Sequence, residues 1–299
     1  MPSKPSSSKS PKREGSNPPP GFPRQYRCGK LRLPFNRPLI MGVINITPDS
    51  FSDGGLYSNT ADAMAQADRL VADGADILDI GGESTRPGAP PVSAPEEISR
   101  VIPVIRGIVS RHPKVPVSVD TSKPEVAREA VEAGAVIIND VTGVSSPQMA
   151  RIAAQYNLPV VVMHMKGSPR DMAKKARYAD LMGELKSYFT GRITSLGRAG
   201  VSKIIIDPGL GFAKTAKHNI EILNRLDELV ELGYPVLVGA SRKSFLGKIL
   251  GAPPQERDAG TAAVTALAVM KGAAIIRAHN VVMNRHAAIV AASIRDRKV

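Results

Sequence analysis

The 299-residue sequence has no tryptophan and only six phenylalanines and six tyrosines. Its core cannot rest on large aromatic rings and must come from the plentiful Val, Ile, Leu, Ala and Gly, a mixture suited to a parallel sheet wrapped by small-residue helices. Cys28 is the single cysteine, which excludes an internal disulfide framework and any cysteine-based zinc site. Apolar runs are interrupted within about ten residues, too short for the ~20 that span a bilayer, so no membrane partner is expected. The N-terminal stretch has neither the apolar segment of a signal peptide nor the clear amphipathic Arg pattern of a transit peptide, and the expected compartment is the cytosol. There is no GxxxxGK[ST], no HExxH and no nucleophile elbow with Ser/His/Asp spacing, so a covalent enzyme intermediate is not indicated. The GLGFAK segment lacks the third glycine of a dinucleotide fingerprint, and His112, His164, His218 and His286 show no ligand-like pairing.

Charge is plentiful but uneven. Of a formal +13, residues 1–37 hold nine Lys or Arg against Glu14 alone, which places +8 there and +5 in the rest. The remainder of the chain is only mildly basic, so no nucleic-acid partner is expected. The opening MPSKPSSSKSPKREGSNPPPG lacks the apolar residues that offset chain entropy, and residues 1–25 are expected to be a disordered basic tail. Residues 26–299 are expected to form one domain, beginning with a short hairpin over Tyr26–Arg37.

From Leu39 onward, short apolar runs alternate with helical patterns. The strands are expected at Leu39–Ile44, Ile77–Ile80, Val115–Val119, Ala135–Ile138, Pro159–Met163, Lys203–Ile206, Pro235–Val238 and Ala273–Ile276. Helices are expected at Thr60–Ala72, Ala94–Ser110, Lys123–Ala133, Gln148–Tyr156, Tyr178–Arg198, His218–Leu232, Phe245–Leu250 with Thr261–Met270, and Val282–Ile294. Eight strand-plus-helix units in about 255 residues predict an α/β fold of the (β/α)₈ (TIM) barrel type; a doubly wound sheet would show nearer six strands.

Residues at the carboxyl ends of barrel strands converge on one pit, so they can be pooled although far apart in sequence. Asp120, Asn139 and Asp207 form an acceptor and amide group. Such groups suit the edge of a flat, nitrogen-rich heterocycle, because a carboxylate can accept two parallel N–H bonds from an amino-pyrimidine. Each alone would also serve as a turn or cap residue, a poor explanation for three at once. Arg86, Lys243, Arg277 and His279, with the hydroxyls of Thr85, Ser241 and Ser244, form a cationic group. Barrels often bind phosphate between the loops after strands seven and eight, where SRKS and RAHN lie. Asn45 offers one amide oxygen to a magnesium ion whose other ligands would be water and diphosphate oxygens.

Asn45–Gly55 (NITPDSFSDGG), Gly81–Gly88 (GGESTRPG), Asp120–Pro124 (DTSKP), Ile138–Asp140 (IND), Met163–Gly167 (MHMKG), Asp207–Phe212 (DPGLGF), Ser241–Ser244 (SRKS) and Arg277–His279 (RAH) occur in that order. They closely resemble the dihydropteroate synthase family, folate-pathway enzymes targeted by sulfonamides. The resemblance runs from Leu39 to the C-terminus. It implies that Asp120, Asn139, Met163, Asp207, Gly211 and Lys243 hold a pterin. Asn45, Thr85, Arg86, Arg277 and His279 would hold a diphosphate, with Asn45 also on Mg²⁺. Phe51, Thr85, Arg86, Pro87, Phe212 and Ser244 would order around p-aminobenzoate. Asp120, Lys243, Arg277 and His279 are then the expected catalytic group, and the small-residue helices near the C-terminus would pair two subunits in a homodimer. A related barrel that presents methyltetrahydrofolate to a corrinoid partner would keep the heterocycle readers but has no use for SRKS with RAH. The chain departs from the family where Asn280 stands for a common Asp and Lys166 for a common Gln.

Overall fold

The computed structural model describes residues 22–46, 55–85 and 88–298. Phe51, Arg86, Pro87 and the tail before Phe22 lie outside the described residues.

The chain enters through an antiparallel hairpin, β1 (Gln25–Cys28) and β2 (Leu31–Pro34), turned at Gly29, whose φ of +61° is the left-handed conformation a two-residue hairpin turn demands. The packing reaches back beyond the expected start at Tyr26. Phe22 sits edge-on to Phe35, and the Phe35 amide donates to the Arg24 carbonyl at 2.9 Å.

Eight parallel strands follow: β3 (Leu39–Asn45), β4 (Ile77–Gly81), β5 (Val117–Asp120), β6 (Ile137–Asp140), β7 (Val160–Met163), β8 (Ile204–Asp207), β9 (Leu237–Val238) and β10 (Ile275–Ala278). Their order in the sheet is β8-β7-β6-β5-β4-β3-β10-β9. A parallel bridge from Ile206 to Val236, with the Ile206 amide donating to the Pro235 carbonyl at 2.9 Å, joins the two ends and closes the ring. The expected barrel is therefore present. Its third strand starts at Val117, two residues late, because Pro116 has no amide to give the ladder.

Strand parity sorts the side chains. Ile40, Leu78, Val119, Ile138, Val162, Ile206 and Ile276 face outward into one aliphatic cluster shared with the helices. Their neighbours Leu39, Met41, Ile77, Ile137, Val161, Ile205, Leu237 and Ile275 face inward near the amino ends of the strands, where they pack with Tyr26, Cys28 and Leu33 of the hairpin. The hairpin is thus a floor plug. It is fastened by the Tyr26 hydroxyl donating to the Ile204 carbonyl at 2.9 Å and by Lys203 Nζ donating to the Arg27 carbonyl at 2.6 Å. Cys28 is fully buried in this plug, and burial pushes its thiol up to about 12, so it has no nucleophilic role at neutral pH.

The helices are α1 (Gly55–Ala72), α2 (Ala94–Arg111), α3 (Pro124–Glu132), α4 (Pro147–Gln155), α5 (Leu181–Arg198), α6 (Ala216–Asn224), α7 (Asp227–Val230), α8 (Ser244–Leu250), α9 (Asp258–Met270) and α10 (Val281–Asp296). Four differ from expectation by three residues or more, one of them α9, which begins at Asp258 and not at Thr261. Helix α1 begins at Gly55, five residues before Thr60. Helix α5 begins after Asp180, whose side chain accepts the Gly183 amide as an N-cap, so Tyr178 lies outside it. The single helix expected over His218–Leu232 is two, α6 and α7, interrupted at Arg225 and Leu226. No helix among the described residues is long and apolar enough to cross a membrane.

Candidate active site

The inward row that is aliphatic at the floor becomes polar at the carboxyl ends of the strands. Asp79, Asp120, Asn139, Met163, Asp207 and Arg277 all occupy inward positions on β4 to β8 and β10, each two residues above an inward aliphatic of its own strand except on β5, where that place is taken by Ser118. Glycine opens the space between them. A side chain at Gly81 would begin 3.5 Å from the Asp120 Cβ and 3.8 Å from the Asn45 Oδ1. One at Gly239 would begin 3.8 Å from Arg277 and 3.9 Å from the Lys243 Nζ. Asn45, Asp120, Arg277 and Lys243 therefore line one pit.

Arg277 is its centre. Its Nη2 donates to Asp120 Oδ2 at 2.8 Å and its Nε to Asp79 Oδ2 at 2.7 Å, and the same Asp79 oxygen accepts from Asn139 Nδ2 at 3.0 Å. Sequence reading separated heterocycle readers from anion holders; the structure interleaves them, because the arginine expected on phosphate is anchored by a carboxylate expected on the pterin. Burial works against the Arg277 charge, but Asp79 and Asp120 overcome it and its pKa rises. Burial pushes Asp120 upward, with Asp79, Glu97 and Asp140 acting the same way and Arg277 opposing them.

Asp207 is buried and accepts the Gly209 amide at 2.7 Å. Burial raises its pKa, while the Lys243 charge and that amide pull it back. Lys243 donates to the Leu210 carbonyl and lies 4.7 Å from the centre of the Phe212 ring. Burial pushes Lys243 down to about 8, with Asp207 opposing. Gly211 permits this approach: its φ is +81°, and an added Cβ would meet Lys243 at 3.1 Å. Met163 pairs in register with Asp207 and is buried.

The two loops after β9 and β10 are held together by Asp258, the first residue of α9. It accepts both arms of Arg242 at 2.8 and 2.9 Å and the Asn280 amide at 3.0 Å. Arg242, with φ +57°, turns away from the pit, so of the two basic residues in SRKS only Lys243 reaches it. His279 Nδ1 lies 2.9 Å from Ser241 Oγ, and that oxygen accepts the His279 amide at 3.2 Å. The serine thus orients the imidazole. Asn280 caps α10 by accepting the Met283 amide at 3.1 Å. Ser244 is exposed at the start of α8.

Beside Asp120 lies a depression lined by Thr85, Thr121, Ser122, Val141 and Thr142, with Glu83 and Glu97 on its wall. Lys123 Nζ bridges those two glutamates at 2.6 and 2.5 Å. No group of three or more His, Cys, Asp or Glu side chains among the described residues is arranged to hold a metal. The Asn45 amide oxygen facing the Gly81 gap fits the alternative, an ion coordinated mainly by water and substrate oxygens.

Sequence reading missed two residues of this neighbourhood. Asp79 hides inside the run ILDI, where an acidic residue at an inward position of a buried strand is itself the signal. Lys214 closes the DPGLGFAK segment, where composition marks it as a solvated lysine, yet it is buried.

The description "Pterin binding enzyme" belongs to the family that matches residues 41–279. A dihydropteroate synthase from Synechocystis sp. is 47% identical over 265 residues, spanning 87% of this chain and 91% of the relative. The crystal structure of the Yersinia pestis dihydropteroate synthase with a sulfonamide drug complex superposes with a TM-score of 0.86 at 43% identity, covering 91% of this chain and 99% of that one. The Xanthomonas albilineans dihydropteroate synthase with 4-aminobenzoic acid superposes with a TM-score of 0.86 at 43% identity, covering 91% and 98%.

Proposed function

The chain belongs to the pterin binding enzyme family, among the dihydropteroate synthases, and we infer that it joins (7,8-dihydropterin-6-yl)methyl diphosphate to p-aminobenzoate, giving 7,8-dihydropteroate and diphosphate. The observation that carries this reading is the Asp79, Asp120, Asn139, Asp207, Arg277 and Lys243 constellation in one pit at the carboxyl mouth of the barrel.

In the proposed division of labour, Asp120, Asn139 and Asp207 read the pterin edge over Met163 and Gly211, with Lys243 alongside. Arg277 spends two N–H groups on Asp79 and Asp120 and keeps others for the diphosphate, joined by His279, Asn45 and Thr85. Phe212, Ser244, Thr85, Phe51, Arg86 and Pro87 would surround p-aminobenzoate.

The chemistry needs no protein nucleophile. The bond from the pterin methylene to the diphosphate oxygen breaks with its electron pair leaving on the diphosphate. Asp120 and Asp207 stabilise the positive charge that develops on the pterin, and the arylamine nitrogen then bonds the methylene and loses its proton. Preorganised charges of both signs within one pit stabilise this separation more than water does, because they need no reorientation as the bond breaks. Asn45 would hold a Mg²⁺ together with diphosphate oxygens, and the ion would neutralise the leaving group.

Residues 26–299 act in this reading as one catalytic domain in the cytosol, and two copies pair. Support for pairing comes from exposed apolar side chains clustered on adjoining helices: Leu267 and Met270 of α9 and Val282, Ile289, Val290 and Ile294 of α10.

The direct test supplies purified protein with Mg²⁺ and the dihydropterin diphosphate, with and without p-aminobenzoate, and measures diphosphate and 7,8-dihydropteroate. Release of diphosphate coupled to pteroate formation is expected. A protein that forms no 7,8-dihydropteroate when p-aminobenzoate is present contradicts the assignment.

A further inference from the structure

The loops after β7 and β8 close over a buried ammonium. Lys214 Nζ donates to the Phe212 carbonyl at 3.0 Å, to the His164 carbonyl at 3.2 Å and to His164 Nδ1 at 3.0 Å, which uses all three of its N–H groups. Burial pushes His164 down to about 3, so its ring is neutral; Nδ1 accepts from Lys214 and Nε2 carries the ring proton. The His164 amide in turn donates to the Asp207 carbonyl at 3.0 Å.

The surrounding contacts fasten the same two loops. Tyr178 Oη donates to the Ala213 carbonyl at 3.0 Å, and Tyr188 Oη to the Met163 carbonyl at 2.9 Å. Ala213, between Phe212 and Lys214, has φ +49°, a left-handed conformation that a non-glycine residue keeps only when its surroundings impose it. A Cβ at Gly209 would lie 2.1 Å from the His164 carbonyl oxygen, so the loops touch backbone to backbone. The carbonyls gripped are those of Phe212 itself and of His164, which follows Met163.

We propose that Lys214 is a positioning residue for the reaction: its ammonium ties the loop after β8 to His164 and thereby fixes the Phe212 ring where the arylamine docks. This rests on the reading that Phe212 borders p-aminobenzoate. Asp207, which faces Lys214 from β8, favours its charge, whereas burial, Lys243 and Lys166 oppose it and push it down to about 7. In its protonated form the group donates to both loops at once, a three-way geometry that a neutral side chain of the same length does not supply.

The test is a double-mutant cycle of Lys214→Met and Phe212→Ala, with KM and kcat determined for both substrates and folding followed by circular dichroism. A hydrogen bond from a charged donor predicts a roughly tenfold rise in KM for p-aminobenzoate in Lys214→Met, with KM for the pterin diphosphate changed less than about threefold. On the Phe212→Ala background the same substitution should add less than about twofold, because its effect travels through that ring. Unchanged KM values with kcat lowered only in step with folded protein would overturn the proposal, as would a full effect in the double mutant. If Phe212→Ala alone leaves the arylamine KM unaltered, the Phe212 assignment fails and this inference with it, while pteroate formation by the unmodified protein stands. Should Lys214→Met not fold, His164→Gln replaces it, and an unchanged arylamine KM in that variant would also overturn the proposal.

Discussion

Asp79 and Arg277, 198 residues apart in the chain, meet at 2.7 Å inside the barrel, and Asp79 has no exposed surface. The pair sets the height and angle of the guanidinium from below while Asp120 holds it from the side. Asp79→Ala should therefore lower stability by about 3 kcal/mol, the low end for breaking a buried pair because Arg277 keeps Asp120. Asp79→Asn keeps one oxygen to accept from Arg277 and Asn139 but loses the negative charge that offsets the buried guanidinium, so it should cost less yet still reduce kcat. Urea unfolding with parallel kinetics checks both, and an unchanged midpoint in Asp79→Ala would refute the supporting role.

Lys243 links activity and stability to pH with opposite signs. Its folded pKa, pushed down to about 8, lies below the ordinary lysine value, so the unfolded chain binds more protons across the interval between them and stability rises with pH there. Below about 8 the penalty for burying the charge is fully present. In the proposed site the Lys243 ammonium donates alongside the pterin, so kcat/KM for the pterin diphosphate should fall as pH rises through the same region. Lys243→Arg, charged throughout, should remove this alkaline limb. An identical limb in the arginine variant would assign it elsewhere.

Asp258 touches no expected substrate atom, yet it joins the Ser241–Ser244 loop to the loop after β10 through Arg242 and Asn280. Asp258→Ala removes the acceptor of all three bonds from Arg242 and Asn280 and should raise KM for the pterin diphosphate about tenfold, with little change in the KM for p-aminobenzoate. Asn280→Asp would set a second carboxylate against Asp258, at a position where the amide now donates at 3.0 Å. It should therefore weaken the same loop contact even though aspartate caps a helix as well as asparagine does. Equal effects on both substrates would show that Asp258 serves general stability instead.

The proposed pairing of α9 and α10 between copies is tested by charge. Val290, 58% exposed, and Ile294, 65% exposed, lie one turn apart on α10. Val290→Glu with Ile294→Glu should convert a dimer into a folded monomer in sedimentation velocity, because two carboxylates per copy cannot be buried unpaired. A monomeric unmodified protein at micromolar concentration would contradict the pairing.

Much of the architecture was legible because buried parallel strands are short aliphatic runs. Each run from Leu39 to Ile276 corresponds to an observed strand within a residue or two at its end. Legibility was poorer where tertiary contacts override local pattern. The break between α6 and α7 has neither proline nor glycine to mark it; Arg225 bonds both Glu221 and Glu228 across it. At the site, strand-end polar residues such as Asp120, Asn139 and Asp207 could be pooled from topology alone. Asp79 could not be told from its aliphatic neighbours until its inward position was seen, and which carboxylate Arg277 would grip is a matter of side-chain reach across the barrel that spacing does not encode. The Lys214 contact with His164 joins two loops whose relative height depends on Gly209 and Ala213 backbone conformations, equally invisible in composition.

The central claim is that a single polar pit at the barrel mouth grips the dihydropterin diphosphate. Calorimetric titration of that substrate into the unmodified protein and into Asp207→Ala, with Mg²⁺ present and p-aminobenzoate absent, measures it directly. The account predicts binding at least about tenfold weaker in the variant, with an unchanged far-ultraviolet dichroism spectrum. Equal affinity in the two folded proteins would contradict it.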